Sequence, residues 1–170
     1  MVSLQDILQA REERVFLQLS LIRENKTPLV SCTMNIPGSE KNSLLIQTCF
    51  NEGMGELANK FWPVLHLVLT RTRMTGPEAY FLVLGDTDLM NLKRKLISFE
   101  ETYAIGRWFD LDLKDSEGLA ISRSTVGLKE RSCLLCDQSA KECGRSRKHS
   151  SEELYDFTKK SLETFIKKAT

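Results

Sequence analysis

Apolar positions recur along this chain with two periods, one helical and one alternating. Over residues 3 to about 25 the spacing is helical. Leu4, Leu8, Val15, Leu19 and Ile22 form a stripe, and Ser3 supplies an N-cap. Arg11 falls on that stripe between Leu8 and Val15, so it either snorkels from the core edge or looks into a site. Arg14 lies one turn later on a neighbouring track. Pro28 opens a strand over LVSCTMNI, which Pro37-Gly38 ends. Residues 43 to about 61 predict a second helix, weakened by Gly53 and Gly55 and stopped by Pro63. Residues 64–74 alternate: Leu65, Leu67 and Leu69 take one face, and Val64, His66, Val68 and Thr70 the other. A Thr75-Gly76-Pro77 turn leads into a strand over residues 79–84.

Residues 87 to about 101 predict a third helix with Leu89, Leu92, Leu96 and Phe99 as its apolar stripe, and Asp86 and Asp88 fit caps at its start. Strands follow over 107–113 and 119–122, joined by Ser116-Glu117-Gly118. Residues 123–149 show no period. A connection of that length is usually functional or tied down by something. Ser150 and Glu153 make a capping box for a last helix to about residue 168, with Leu154, Phe157, Leu162, Phe165 and Ile166 as its buried face. The order α-β-α-β-β-α-β-β-loop-α predicts an α+β fold, one mixed sheet with helices packed on it, as a single domain over 1–170.

Composition narrows the class without choosing a function. With 170 residues, 41% hydrophobic and 28% charged, the chain can bury one core, and a net charge of +1 supplies no overall field for nucleic acid or an acidic membrane. No apolar run spans a bilayer, and the start, MVSLQDILQAREER, lacks the layout of a signal peptide. Five cysteines, three of them within eleven residues, argue against a secreted disulfide scaffold and for reduced cytoplasm.

Charge is segregated locally. Residues 100–117 carry six acids against two bases, and residues 123–148 carry seven bases against three acids. In Asp110-Leu111-Asp112-Leu113 the two carboxylates share a strand face, while Phe109, Leu111 and Leu113 anchor the other. Such a pair can chelate Mg²⁺, and it also fits ordinary acids on a half-exposed strand. Arg145, Arg147, Lys148 and His149 precede a helix N-terminus and suit phosphate oxygens, or form a solvated basic loop. Arg123 is a further phosphate candidate or one half of a surface ion pair. Asn35, in the Asn35-Ile36-Pro37-Gly38 turn, could face a ligand or merely end a strand. Cys133-x2-Cys136-x6-Cys143-x5-His149 is a candidate tetrahedral Zn²⁺ set, or a group of reduced cysteines packed as small apolar residues. Acids beside bases point to phosphoryl transfer. The competing reading is a non-catalytic interaction module ordered by zinc.

Several separated motifs, in order, resemble one family. They are Ala10-Arg11-Glu12-x-Arg14, Pro28-Leu29-Val30-Ser31, Met34-Asn35-Ile36-Pro37-Gly38 and Thr75-Gly76-Pro77-Glu78-Ala79. Gly106-Arg107-x-Phe109-Asp110-Leu111-Asp112, Ile121-Ser122-Arg123, Cys133-Leu134-Leu135-Cys136-Asp137, Cys143-Gly144-Arg145-Ser146-Arg147 and His149-Ser150 complete the series. Together they resemble the apo-citrate lyase phosphoribosyl-dephospho-coenzyme A transferases. The resemblance implies transfer of a triphosphoribosyl-dephospho-coenzyme A group to a serine of the citrate lyase acyl carrier subunit, with release of pyrophosphate. It implies a nucleotidyltransferase-like site, with Asp110 and Asp112 as Mg²⁺ ligands. Arg123, Arg145, Arg147 and Lys148 would then neutralise the triphosphate, and Arg11 and Arg14 would do likewise or meet the carrier. Asp115, Glu130 and Asp137 are candidates for a third metal carboxylate. The Gly-Ser turn that usually precedes the aspartates in nucleotidyltransferases has no counterpart here.

Overall fold

The computed structural model describes residues 2–169; Met1 and Thr170, the ends of the expected 1–170 domain, lie outside the described residues. Five strands form one sheet: β1 (Leu29–Met34), β2 (Leu65–Arg73), β3 (Gly76–Val83), β4 (Phe109–Lys114) and β5 (Ala120–Ile121). Their spatial order is β2-β3-β1-β4-β5. The expectation of a mixed sheet is corrected, because every neighbouring pair is antiparallel. The reason lies in β1. Strands β3 and β4 run parallel to each other, being joined across α3 (Leu89–Thr102), but β1 sits between them and opposes both.

Helices cover both sides. On one side α2 (Leu44–Lys60), α3 and α5 (Ser151–Ala169) pack on the apolar face of the sheet. Val30, Cys32, Phe81, Val83, Phe109 and Leu111 meet Phe50, Leu57, Leu96, Phe99 and Leu162 there. Burying each large side chain contributes roughly 1.5–3 kcal/mol. The last helix buries Leu162 and Thr158, whereas Phe157, expected inside, stays accessible and stacks on Trp108. A short α4 (Ala140–Ser146) lies within the stretch expected to be irregular.

Phe109 is the centre of this core. Its ring stacks on Phe50 at 6.0 Å and meets Phe99 and Tyr103 edge-on. Gly53 makes room for it: a Cβ there would fall 2.1 Å from Phe109 Cζ. The glycine that weakens α2 locally is thus required by the strand carrying the aspartates. Gly53→Ala is expected to cost about 1–3 kcal/mol by overpacking, measured by urea unfolding. Gly55, with open space around its Cα, should tolerate the same change. Gly106 has a related duty, since a Cβ there would meet the Phe99 carbonyl oxygen at 2.4 Å.

The other side of the sheet is covered by α1 (Leu4–Asn25), and here the predicted stripe holds at Ile22 but fails over its first three members. Leu4, Leu8 and Val15 are exposed, while Ala10, Gln18 and Ile22 are buried. The helix is turned so that positions 10, 14, 18 and 22 meet the sheet. The surface it covers is apolar only near its C-terminal end, where Ile22 packs with Leu29 and Leu82, and polar before that, which is the physical reason: Gln18 donates to Ser31 Oγ at 2.6 Å, and Arg14 pairs with Glu78. A second correction concerns β2. A bulge between Leu67 and Leu69 shifts its register, so Leu67 stands opposite Phe81 but Leu69 opposite Tyr80. Leu65, Leu67 and Leu69 therefore do not share a face. The bulge moves Leu69 and Arg71 to the side that α1 covers.

Candidate active site

Antiparallel register assembles the polar face. Asp110 lies opposite Thr33 and Asp112 opposite Ser31 on one side of β1; Glu78 and Tyr80 lie opposite the same two residues on the other. With Leu111 and Leu113 buried beneath, the two aspartates share this face, as the alternation predicts. Above them α1 leaves a cavity of about 230 Å³ lined by Arg11, Arg14, Asn35, Lys41, Thr75 and Asp110 among others. Asn35 is set there by its N–H, which donates to the Trp108 carbonyl at 2.7 Å. Thr75 Oγ1 is buried without a hydrogen-bond partner.

The charges here are only partly compensated. Asp112 is held above the ordinary carboxylate value, first by loss of hydration among protein groups and second by the negative charge of Asp110. Its side chain is exposed on the sheet face that it shares with Asp110. Lys41 is pushed below its usual value by burial and then by the charge of Arg11, and its Nζ donates to the Ile36 carbonyl. The two aspartates thus repel each other, and so do Arg11 and Lys41 in the cavity. Two repelling oxygen donors suit a hard divalent ion, and two crowded cations suit phosphate.

Glu78 anchors the cations. One of its oxygens accepts from Arg14 Nη2 at 2.9 Å, and the other from Arg71 Nη2 at 2.5 Å and from the Tyr80 hydroxyl at 2.6 Å. Burial alone would raise its proton affinity, but Tyr80, Arg71 and Arg14 outweigh burial and hold it below the usual carboxylate value. Glu100, on α3, organises the far side of β4. Its Oε1 accepts the Leu111 N–H at 2.8 Å, and Lys93 Nζ donates to the Leu111 carbonyl at 2.7 Å. These side chains replace the strand pairing that β5 is too short to supply, because β5 reaches only Leu113 and Lys114.

The predicted site residues divide into four groups. Arg11, Arg14, Asn35 and Asp110 line one cavity, with Asp112 on the same face. Arg123 is spent elsewhere: it pairs with Glu100 at 2.5 Å and Glu101 at 2.7 Å. Arg145, Arg147 and Lys148 are exposed and absent from the cavity lining; the structure does not bring them to the aspartates. His149 belongs instead to a cluster with Cys133, Cys136 and Cys143, whose potential ligand atoms all lie within 4.8 Å of one another. Those four residues could hold a metal ion.

None of the candidates for a third carboxylate lines the cavity. Asp115 caps its own turn by accepting from Glu117 and Leu119, Glu130 pairs with Lys141, and Asp137 is exposed. Sequence reasoning missed Lys41 and Arg131. Arg131 Nη2 reaches Glu100 Oε2 at 2.9 Å and Asp110 Oδ1 at 3.5 Å. No local pattern marks either residue, apart from the place of Lys41 just after the Pro37-Gly38 turn.

Known proteins resemble this chain in sequence. Residues 2–165 match a family model described as "Apo-citrate lyase phosphoribosyl-dephospho-CoA transferase". A Vibrio cholerae protein named "Probable apo-citrate lyase phosphoribosyl-dephospho-CoA transferase" is 38% identical over 157 residues, covering 90% of this chain and 87% of the relative. A Streptococcus pyogenes protein of the same name is 38% identical over 176 residues, covering 98% of this chain and 88% of the relative. In Haemophilus influenzae the "Protein CitXG" is 34% identical over 158 residues, which is 91% of this chain but 34% of that longer protein.

Proposed function

The chain belongs to the apo-citrate lyase phosphoribosyl-dephospho-CoA transferase family, and on that premise we propose that it attaches the triphosphoribosyl-dephospho-coenzyme A precursor to a serine of the citrate lyase acyl carrier subunit. The observation that carries this reading is the cavity under α1, where Arg11, Arg14 and Lys41 face Asp110 across about 230 Å³. In the reaction the serine oxygen bonds to the α-phosphorus of the precursor. The bond from that phosphorus to the terminal diphosphate breaks, the serine proton leaves, and pyrophosphate departs. This is nucleotidyltransferase chemistry.

Asp110 and Asp112 would hold Mg²⁺, which supplies Lewis acidity to the phosphate oxygens when bound. Arg11 and Lys41 bind the triphosphate and relieve their own repulsion by doing so. Arg14, fixed by two hydrogen bonds to Glu78, presents a pre-oriented charge, so little ordering is left for the moment of reaction. Asn35 orients the bound group through its side-chain amide. The exposed Arg145, Arg147 and Lys148 serve in this reading as an outer basic contact for the carrier. The Cys/His cluster takes Zn²⁺, whose preference for thiolate and imidazole matches that donor set. Five unpaired cysteines fit a reducing compartment, the cytoplasm. A zinc-ordered module without catalysis leaves the cavity and its paired acids without a purpose.

Intact-mass measurement of the apo-carrier after incubation with precursor and Mg²⁺ tests the proposal. The expected result is a mass increase by the prosthetic group with stoichiometric pyrophosphate release. Arg11→Ala should lower kcat/KM for the precursor about 10- to 100-fold, as loss of one charge-assisted bond implies. A folded protein that leaves the carrier unmodified refutes the activity, and an unchanged Arg11→Ala variant refutes the binding role.

A further inference from the structure

The stretch expected to be irregular is built around its cysteines. Leu135 N–H donates to Cys133 Sγ at 3.5 Å, and Cys133 N–H donates to the Gln138 carbonyl at 2.7 Å, so a tight turn wraps Cys133-Leu134-Leu135-Cys136. Helix α4 carries Cys143 to the turn, and Arg147, in the left-handed region at φ 50°, reverses the chain so that His149 joins the set. Cys133 and Cys143 are buried, and none of the three thiols is in a disulfide. His149 Nε2 is buried without a hydrogen-bond partner, a cost that a bound metal removes. Three soft sulfurs and one imidazole are the four-ligand donor set of a structural zinc centre, which keeps no open position.

The same turn fixes an arginine. Arg131 stands two residues before Cys133, and its carbonyl accepts the Ala140 N–H at 2.9 Å. Ser132 bridges to Ser139, and Arg107 Nη2 holds the Cys133 carbonyl at 2.6 Å, tying the turn to the segment just before β4. From this base the Arg131 guanidinium spans Glu100 and Asp110. We infer that the Cys133–Cys136–Cys143–His149 centre binds one Zn²⁺ in order to hold Arg131 against Asp110, making Arg131 a positioning residue for the metal-binding carboxylate. This rests on the active-site reading above for the role of Asp110, but the zinc centre itself stands on its own geometry.

The mechanism is a chain of contacts. Without the ion, the turn keeps one N–H···S bond, the two backbone bonds that make the Ser132–Ser139 bridge and the Arg107 contact, and residues 131–140 open more readily. Arg131 then leaves Asp110, which is free to rotate away from the cleft. Partners that orient metal ligands typically change activity by about 10- to 100-fold when removed.

Three measurements on the purified full chain, kept reduced, test the inference. Elemental analysis should give one zinc per chain, and Co²⁺ exchange should give a thiolate charge-transfer band. Cys136→Ser should lose both. Hydrogen exchange should then quicken at least about tenfold over residues 131–140 while β1 and β4 keep their protection. Where Cys136→Ser fails to fold, chelation of zinc from the wild-type protein provides the same comparison. Finally, Arg131→Ala should keep its zinc and its exchange protection but lose about 10-fold or more in kcat for carrier labelling, with KM for the precursor little changed. A zinc-free wild-type protein, or exchange indifferent to zinc, overturns the centre. Wild-type kinetics in Arg131→Ala overturn the positioning role. Absence of carrier labelling by the wild-type protein refutes the active-site reading and with it the positioning role, while the zinc and exchange results still decide the centre.

Discussion

Asp112→Asn is expected to stabilise the protein and to lower its transferase activity sharply. The two effects have one origin. Burial and the charge of Asp110 raise the folded-state pKa of Asp112 above its ordinary value of 3.8. A raised pKa means that the stabilising contribution is complete below the unfolded value and is lost as pH rises through the folded one. At neutral pH the ionised carboxylate is therefore a net cost to the fold, and asparagine removes that cost. Thermal unfolding at pH 7 without divalent ions should show a higher Tm for the variant, and the gap should close on acidification below about pH 4. Mg²⁺ should raise the wild-type Tm and leave the variant unmoved, and its affinity for the wild type should rise with pH as the proton is displaced. Activity should fall by about 10²–10³-fold in Asp112→Asn and in Asp110→Asn, the usual loss of a pre-organised electrostatic group. Normal labelling of the carrier by a folded Asp110→Asn, Asp112→Asn double variant would remove the metal from the mechanism.

Glu100→Ala should be the most destabilising single change on the polar side of α3. Glu100 is 3% exposed and holds three donors: Leu111 N–H, Arg123 Nη2 and Arg131 Nη2. Truncation leaves two guanidinium groups facing each other and an unpaired N–H at a strand edge. Breaking a buried pair in this way costs about 3–5 kcal/mol. Glu101 makes a useful control, because it also binds Arg123 but is 59% exposed; its removal should cost no more than about 1 kcal/mol. Urea unfolding of both variants checks the contrast. Equal losses would mean that burial does not decide the strength of this network.

Much of the candidate site was legible because it depends on local geometry. A period of two puts Asp110 and Asp112 on one face whenever Phe109, Leu111 and Leu113 are buried on the other. The cysteine spacing identified all four members of the Cys/His cluster. What failed was the extension of composition to place. Arg145, Arg147 and Lys148 are as basic as Arg11 and Lys41, but composition carries no information about which cations a long segment turns toward a cleft. Arg123 looked like a phosphate ligand because its buried partner, Glu100, lies on a helix 23 residues away in sequence.

The sequence by itself determined the order of the strands and long helices, the side of β4 that is apolar, the members of the Cys/His cluster and the family. All of these follow from short-range spacing or from motifs in order. Only the tertiary structure decided that β1 separates β3 from β4, that a bulge in β2 turns Arg71 toward Glu78, and that α1 buries Ala10 and Gln18 instead of Leu4 and Leu8. A helix turns toward whatever surface it covers. That surface is made of Ser31, Glu78 and Asp110, drawn from three strands that meet only when the chain has folded.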